Sequence, residues 1–275
     1  MIISGIFFMK DVVAGLGEIG SPIYKIFSKK SKVVGYDIDP KLMDEKKFQK
    51  FLDDETTFLH IAIPFSKNFS KNAKDLTRKF SPKCLVIHST ISPKTTEKLQ
   101  KSLDIPVIYS ATRGVHKRMA FDIKRYTKFF SVYSWAPNSK WAEKTFKQKM
   151  QKVGIKTKKM SSPLVLELSK IVVDTSYYGW LINYAQISNV IAKKHGVNYD
   201  EMWSFSDEIH KILGNRPKMF PGFIGGHCVI PNLELIDEQQ LWQIDKINNF
   251  YSKPVKNAKS IAKKYVKGKQ SYTSN

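Results

Sequence analysis

Short apolar, β-branched runs alternate with longer amphipathic stretches through the first 160 residues of the chain. The runs expected to form strands are 10–14, 32–36, 57–63, 84–88, 107–109 and 129–133. Helices are expected between them, at 21–27 and 94–102. Strands that alternate with helices are typical of parallel β-α-β units. The pattern therefore predicts an α/β fold with a doubly wound parallel sheet over residues 1–160. The strand at 129–133 is expected to extend this sheet.

The second half of the chain predicts helices. Ser162 followed by Pro163 is a good helix start, because serine caps an N-terminus and proline suits the first helical position. No firm break follows before Gly196, so a helix of about 33 residues, roughly 50 Å long, is expected. Further helices are expected over 200–213 and 238–264, around a glycine- and proline-rich loop at 217–231. Residues 161–275 should form this long central helix and a smaller all-helical domain.

A glycine-rich turn follows the first predicted strand. Residues 15–20 read Gly-Leu-Gly-Glu-Ile-Gly and match the dinucleotide-binding pattern G-x-G-x-x-G. The first glycine permits the tight turn, the second lets pyrophosphate approach the backbone, and the third permits close helix packing. Asp37 ends the second strand, where a carboxylate binds ribose hydroxyls and repels a 2′-phosphate. The first domain is thus predicted to be a Rossmann domain that binds NAD rather than NADP.

A second constellation lies in the helical half. Residues 221–228 read Pro-Gly-Phe-Ile-Gly-Gly-His-Cys. The glycines suggest a backbone that approaches a ligand closely, and the cysteine suggests that the Cys228 thiol is presented in a cleft. A packing cysteine on a flexible loop is the alternative. On the long helix, Glu167, Lys170 and Asp174 have the spacing of one α-helical face. The alternative is that these three charges form a solvated stripe on the helix surface. Because the surrounding helix is apolar, we favour the interpretation that they face a functional site or a partner.

Composition narrows the classes of function. The net charge is +22, from 46 Lys and Arg against 24 Asp and Glu, yet only five of the basic residues are arginine. Since arginine suits bidentate phosphate and base contacts, we expect no nucleic-acid partner. Two cysteines give no disulfide framework, and no apolar run spans a bilayer. A cytoplasmic protein without a membrane partner or bound metal is expected, and attraction for anionic ligands is the alternative meaning of the charge.

Several motifs resemble those of the UDP-glucose/GDP-mannose 6-dehydrogenase family, nearest its UDP-N-acetylmannosamine dehydrogenase branch. Residues 89–96 resemble the family's S-T-x-x-P-G-T-T, residues 120–122 its A-x-x-D segment and residues 167–170 its E-x-x-K helix start. The loop at 221–228 is the most specific match. The resemblance spans roughly residues 10–250.

This resemblance implies an NAD-dependent oxidation of a primary alcohol to a carboxylic acid, through a thiohemiacetal and a thioester on Cys228. Lys170 would stabilise the oxyanion and lower the pKa of the thiol. It also implies a small-molecule substrate, anionic or derived from a sugar. The length of the central helix separately suggests a homodimer formed through it. The implied catalytic residues are Cys228, Lys170, Asp174, Asn232 and Thr90. The implied cofactor contacts are Gly15, Gly17, Glu18, Ile19, Gly20, Asp37, Pro64 and Thr90. The implied substrate contacts are Arg113, Lys117, Gly225, Gly226 and His227.

The chain departs from the family pattern in three respects. Asp174 stands where the family has asparagine, and Asn232 where it has aspartate, which suggests a compensated swap; a one-residue shift would bring in Glu234 instead. Arg113 and Lys117 replace two glutamates, so that site would attract an anion unless both lie on a solvated loop. The family's further nucleotide-sugar-binding domain is not expected within 275 residues. The rival interpretations are an NAD-binding regulatory protein without catalysis and a hydroxyacid dehydrogenase in which Lys170 is catalytic and Arg113 binds a carboxylate.

Overall fold

The structure is a computed structural model that describes residues 9–252. It divides into two compact units, with the boundary between Lys170 and Ile171. The domain boundary predicted after residue 160 stays a prediction, and the predicted helix over 238–264 continues past the described residues.

Five parallel strands form the sheet of the first unit, in the order β2-β1-β3-β4-β5. They are β1 (Met9–Ala14), β2 (Val33–Tyr36), β3 (Glu55–Ile61), β4 (Cys84–Ile87) and β5 (Val107–Tyr109). Nearly every side chain on them is buried, as expected for a parallel sheet covered on both faces. The strand order reverses between β1 and β3, and ligands bind at such a switch point in doubly wound folds.

Helices cover both faces of this sheet. They are α1 (Gly20–Phe27), α2 (Glu45–Lys50), α3 (Phe69–Phe80), α4 (Thr95–Gln100), α5 (Met119–Arg125) and α6 (Ser139–Lys152). One apolar cluster joins α1, α5 and α6 to the sheet, and a second joins α2, α3 and α4 to its other face. The predicted Rossmann-type doubly wound fold is confirmed.

One strand pairs differently from the prediction. The run at 129–133 was expected to extend the main sheet, but β6 (Lys128–Phe130) pairs in parallel with β7 (Thr157–Lys159) in a sheet of two strands. A single antiparallel bridge between Tyr109 and Ser131 connects it to β5. The expected extension is wrong because β6 has a nearer partner in β7, a polar strand whose sequence does not alternate.

The long helix is confirmed in extent but not in regularity. Helical backbone runs through α7 (Pro163–Leu168), a π-helical segment (Ser169–Ser176) and α8 (Tyr177–Lys194). Ser162 caps the start by accepting a hydrogen bond from the Val165 N–H at 3.3 Å. Since π-spacing differs from the α-helical period, residues on either side of the segment do not keep the predicted shared face.

The rest of the second unit consists of α9 (Tyr199–Leu213), α10 (Ile230–Leu233) and α11 (Gln239–Ser252). Its apolar core joins Val229, Leu233 and Ile244 to Ile224 in the loop that precedes α10. Gly179 lets α8 approach this core, because a Cβ there would stand 3.0 Å from Ile244 and 3.1 Å from Val229. Within residues 9–252, no helix combines the length and apolar character that a bilayer crossing requires.

Candidate functional site

The carboxyl ends of the five strands bring the predicted cofactor residues of the first unit to one edge of the sheet. The glycine turn follows β1, Asp37 follows β2, Pro64 follows β3 and Thr90 follows β4. Pro64 is exposed and Thr90 half-buried. This edge is where open α/β sheets bind ligands, and the β1/β3 switch point lies at its centre.

The three glycines of the turn have different structural requirements. Gly15 has φ +87° and lies so close to β3 that a Cβ would stand 2.8 Å from the Ala62 carbonyl oxygen. At Gly20 a Cβ would stand 1.6 Å from the Gly15 carbonyl oxygen. A Cβ on Gly17 would meet nothing within 4 Å. Gly15 and Gly20 are therefore needed for the fold, whereas the open space at Gly17 leaves the backbone accessible to a ligand.

Asp37 is tied to this turn. Its Oδ2 accepts a hydrogen bond from the Leu16 N–H at 2.6 Å, and its Oδ1 accepts one from the Asp39 N–H at 3.0 Å. The Gly15 N–H also donates to the Tyr36 carbonyl at 2.9 Å. The carboxylate is thus held beside the glycine turn, in the relation that dinucleotide-binding folds use for the ribose.

A contact between two side chains joins the turn to the loop after β5. Glu18, a predicted cofactor contact, has Oε2 2.8 Å from Nδ1 of His116. Ile19 precedes α1 without a side-chain cap. Lys117 lies next to His116 in the 3₁₀ turn His116–Arg118 and is exposed. The sequence did not single out His116, which had no recognisable motif around it.

Glu167 serves a structural purpose rather than the one its spacing suggested. It is fully buried, and its carboxylate accepts hydrogen bonds from the Lys94 N–H at 2.6 Å and from the N–H and hydroxyl of Thr96 at 2.9 and 2.6 Å. These groups form the N-terminus of α4, so Glu167 acts as its cap. The expectation that Glu167 shares an environment with Asp174 is wrong, because Asp174 is exposed on the π-helical segment.

One buried lysine of the first unit, Lys128, lies within interaction range of two other cationic side chains. Lys128 is buried, and its Nζ donates to the Ser110 carbonyl at 3.0 Å and to the Thr112 hydroxyl at 3.3 Å. Burial, with repulsion from Arg113 and Lys170, lowers the pKa of Lys128 to about 7. Sequence analysis missed this lysine because nothing distinguishes it from many surface lysines.

Arg113 already has partners within its own unit. Its Nη2 donates to the Thr127 carbonyl at 2.8 Å, and its guanidinium lies 4.9 Å from the centroid of the Phe129 ring. It is half-buried rather than on a fully solvated loop. Its assignment to a substrate stays a prediction, and the guanidinium has N–H groups beyond the one used.

The cysteine loop of the second unit is exposed at its tip. Cys228 is exposed, as are Gly225, Gly226 and His227. Asn232, in α10, donates from Nδ2 to the Cys228 carbonyl at 2.6 Å, which ties the cysteine backbone to that helix. Glu234 ends α10 and is exposed. The other cysteine, Cys84, is fully buried in β4.

Comparison with solved structures shows that several dehydrogenases share this fold. The chain is similar to UDP-D-ManNAc dehydrogenase from Pyrococcus horikoshii, with 18% identity, TM-score 0.69 and coverage of 88% of this chain and 69% of that one. A UDP-glucose dehydrogenase from Pyrobaculum islandicum gives 16% identity and TM-score 0.70 over 91% and 70% of the two chains. The 3-hydroxyisobutyrate dehydrogenase of Mycobacterium tuberculosis gives 13% identity and TM-score 0.65, with coverage of 91% of this chain and 95% of that one. No protein-family model matches the chain, and no curated protein is similar to it in sequence. The shared property is the fold.

Proposed function

We propose that this protein is an NAD-dependent dehydrogenase of the nucleotide-sugar dehydrogenase type, which oxidises a primary alcohol to a carboxylic acid. The observation that carries the proposal is the glycine turn at the β1/β3 switch point, with open space at Gly17 and the Asp37 carboxylate beside it. Similarity to UDP-D-ManNAc and UDP-glucose dehydrogenases supports the same class.

The first unit would hold the cofactor through features it already has. The backbone N–H groups of the turn and the N-terminus of α1 would donate hydrogen bonds to the pyrophosphate of the cofactor. Asp37 would accept hydrogen bonds from ribose hydroxyls and disfavour a 2′-phosphate. Thr90 and Pro64 lie at the same edge of the sheet. NAD, when bound, supplies the hydride acceptor for both oxidations.

The second unit would supply the covalent chemistry. The Cys228 sulfur adds to the carbonyl carbon of the intermediate aldehyde, and the resulting oxyanion takes a proton to give a thiohemiacetal. Oxidation of this adduct leaves a thioester, which water cleaves to the carboxylic acid and the free thiol. Lys170 is the cation we assign to the oxyanion, and Asp174 and Asn232 are the proposed polar partners of the thiol and water.

The number of NADH molecules formed per substrate tests this proposal. We expect UDP-N-acetylmannosamine or UDP-glucose to yield two NADH per molecule, and Cys228→Ser to abolish formation of the acid. Cys84→Ala is the matched control, since Cys84 lies in β4 within the sheet and should affect stability only. Turnover of either sugar with one NADH, or an undiminished yield of acid from Cys228→Ser, would rule out the thioester route.

A second candidate is a two-electron hydroxyacid dehydrogenase that uses Lys170. The match to 3-hydroxyisobutyrate dehydrogenase over 95% of that chain favours it. The hydrogen bond from Arg113 to the Thr127 carbonyl counts against Arg113 as a dedicated carboxylate clamp. One NADH per 3-hydroxyisobutyrate, with Cys228→Ser fully active, is the outcome that selects it. NAD binding without turnover of any of these substrates selects the regulatory interpretation.

We also propose that the protein forms a homodimer through α8. Tyr177, Trp180, Tyr184, Ile187 and Ile191 follow the a/d spacing of a coiled coil and are all exposed. Between Tyr177 and Ala192 the sequence has no charged residue, so two copies of a chain with net charge +22 could meet there without repulsion. Sedimentation velocity should show a dimer that Tyr184→Lys dissociates and Phe121→Lys, an exposed aromatic on α5, does not; a monomeric wild type would refute the dimer.

A further inference from the structure

A buried network of side-chain amides connects α8 and α11 to the loop that precedes Cys228. Asn248 pairs with both backbone groups of Ile224: its Oδ1 accepts the N–H at 2.8 Å and its Nδ2 donates to the carbonyl at 3.1 Å. Gln186 donates from Nε2 to the Gly222 carbonyl at 2.7 Å and to Asn248 Oδ1 at 3.0 Å. Asn183 donates to Gln186 Oε1 at 2.9 Å. Two backbone positions of the loop are therefore fixed by side chains from two helices.

These amides are fully desolvated, which makes their geometry strict. Asn183 and Gln186 are 0% exposed and Asn248 is 1% exposed. A buried polar group that loses its partner has no water to replace it, so each bond in such a network matters more than one at the surface. The network therefore restricts where the loop backbone can lie.

The two fixed positions, Gly222 and Ile224, directly precede the segment that carries the thiol. We call residues 225–228 the cysteine arch; all four are exposed. On one side of the arch, Ile224 is held by Asn248 and packs in the apolar core. On the other side, Val229 is buried in the same core beside Gly179. The arch thus spans two buried anchors: side-chain amides of α8 and α11 hold the Ile224 side, and Asn232 of α10 ties the Cys228 carbonyl on the other side.

We propose that Asn248 and Gln186 are positioning residues that fix the cysteine arch and so set the accessibility of the Cys228 thiol. The inference rests on the proposed function for its catalytic meaning, but the positioning itself is independent of turnover. Neither residue is assigned a contact with substrate or cofactor.

Hydrogen exchange and thiol labelling test the proposal on the intact protein. In Asn248→Ala we expect the Ile224 amide to exchange about tenfold faster than in wild type, since its only side-chain acceptor is removed. Labelling of Cys228 by N-ethylmaleimide should become at least about threefold faster, because a released arch admits the reagent from more directions. Gln186→Leu, which keeps bulk but cannot donate to Gly222, should change both in the same direction. Cys228→Ser supplies the labelling blank, as Cys84 is buried.

Asn189→Ala is the matched control. Asn189 is also a buried amide on α8, and its Nδ2 donates to the Tyr251 hydroxyl of α11 at 2.8 Å, so this hydrogen bond joins the two helices to each other and not to the loop. It should lower stability while leaving arch exchange and labelling within about twofold of wild type. Equal acceleration in Asn189→Ala would show a general loosening of the helices and overturn the proposal, as would unchanged rates in Asn248→Ala. If Asn248→Ala does not fold, Asn248→Ser and Gln186→Leu decide by the same criteria.

The two proposals can fail separately. If Cys228→Ser retains full formation of acid while Asn248→Ala still accelerates exchange and labelling, the catalytic role of the cysteine fails and the positioning stands. If Cys228→Ser is inactive but Asn248→Ala leaves the arch unchanged, the positioning fails and the catalytic role stands.

Discussion

The two units differ in what they bury. The first unit buries ionisable side chains: Lys10, Asp11, His60, His88, Asp122, Lys128 and Glu167. Among the described residues of the second unit, the buried polar groups are hydroxyls and amides, and none is Asp, Glu, His, Lys or Arg. Buried ionisable groups couple stability to pH, whereas amides do not. The comparison therefore predicts that the stability of the first unit depends on pH, whereas the stability of the second unit is largely independent of it.

The buried histidine pair should produce the largest effect. His60 Nδ1, in β3, lies 3.0 Å from Nε2 of His88, the residue that follows β4, and the other ring nitrogen of His60 is buried without a hydrogen-bond partner among the described residues. Burial lowers the pKa of both imidazoles well below the usual value, with repulsion from Lys149 and Lys128 in addition. Below pH 6.5 the unfolded chain binds protons that the folded chain does not, so stability is present above that pH and is lost on acidification. We expect a loss of up to about 3 kcal/mol between pH 6.5 and pH 5.

Urea unfolding at a series of pH values checks this prediction. The double variant His60→Leu/His88→Leu should remove most of the loss on acidification relative to wild type. His195→Leu, which replaces an exposed histidine, is the matched control and should keep the wild-type profile. As the pH is lowered, hydrogen exchange should accelerate in the sheet at a higher pH than in α8 and α11. Acceleration in both units at the same pH would contradict the predicted difference between them.

Lys128 should give the next largest effect, in the same direction but over a higher pH range. Its pKa of about 7 in the folded state lies far below the ordinary value of 10.5. Between those two values the unfolded chain holds a proton that the folded chain has released, so stability rises with pH. We expect a gain of about 2 to 3 kcal/mol from pH 7 to pH 9.

The variant Lys128→Met isolates that contribution. It loses the hydrogen bonds to Ser110 and Thr112, so its stability near pH 9 should fall below that of wild type, and its own stability should change little with pH in this range. Lys124→Met, which replaces an exposed lysine of α5, should keep the wild-type slope. A Lys128→Met protein with the slope of wild type would show that the amine stays protonated in the folded state.

Substitution of Lys94 should give the smallest change in stability. At this residue, backbone strain can be tested without removing the hydrogen bond to the buried Glu167 carboxylate. Lys94 has φ +67° and an exposed side chain, while its N–H donates to the buried Glu167 carboxylate. Glycine adopts this conformation without the cost to a Cβ, partly offset by its greater freedom when unfolded. Lys94→Gly should raise the free energy of unfolding by about 0.5 to 1 kcal/mol, measured by urea unfolding.

Lys98→Gly provides the matched comparison within α4. That residue is also an exposed lysine, but it lies in the interior of the helix, where glycine should lower stability by about 1 kcal/mol. Changes of the same sign in both variants would contradict the assignment of strain to Lys94.

Much of the first unit could be predicted because its elements are signalled locally. Buried parallel strands are continuous apolar runs, and the turn at 15–20 combines a strand end with glycines at fixed spacing. β7 was missed because Thr157–Lys159 is polar and mostly exposed. β6 was assigned to the wrong sheet because the pattern shows that a strand exists but not which distant strand it pairs with.

The candidate site was predicted less completely, since spacing does not report burial. Glu167 and Asp174 have the spacing of one α-helical face, yet the first caps α4 and the second is exposed across π-helical backbone. The amides Asn183, Gln186 and Asn189 recur every three residues in the uncharged part of α8, a signal that could have been recognised. Their partner Asn248 could not, because that contact depends on how α11 packs.

Calorimetric titration with NAD tests the central claim most directly, namely that the glycine turn and Asp37 form a dinucleotide site. We expect wild type to bind NAD more tightly than NADP, and Gly17→Ala to retain its melting temperature while affinity falls at least about tenfold, because the Cβ occupies the open space beside the backbone. Asp37→Ala should weaken NAD to a similar degree, whereas Asp39→Ala, which removes an exposed carboxylate two residues further on, should not. Absence of NAD binding to the folded wild type, or equal affinity in all four proteins, would contradict the account.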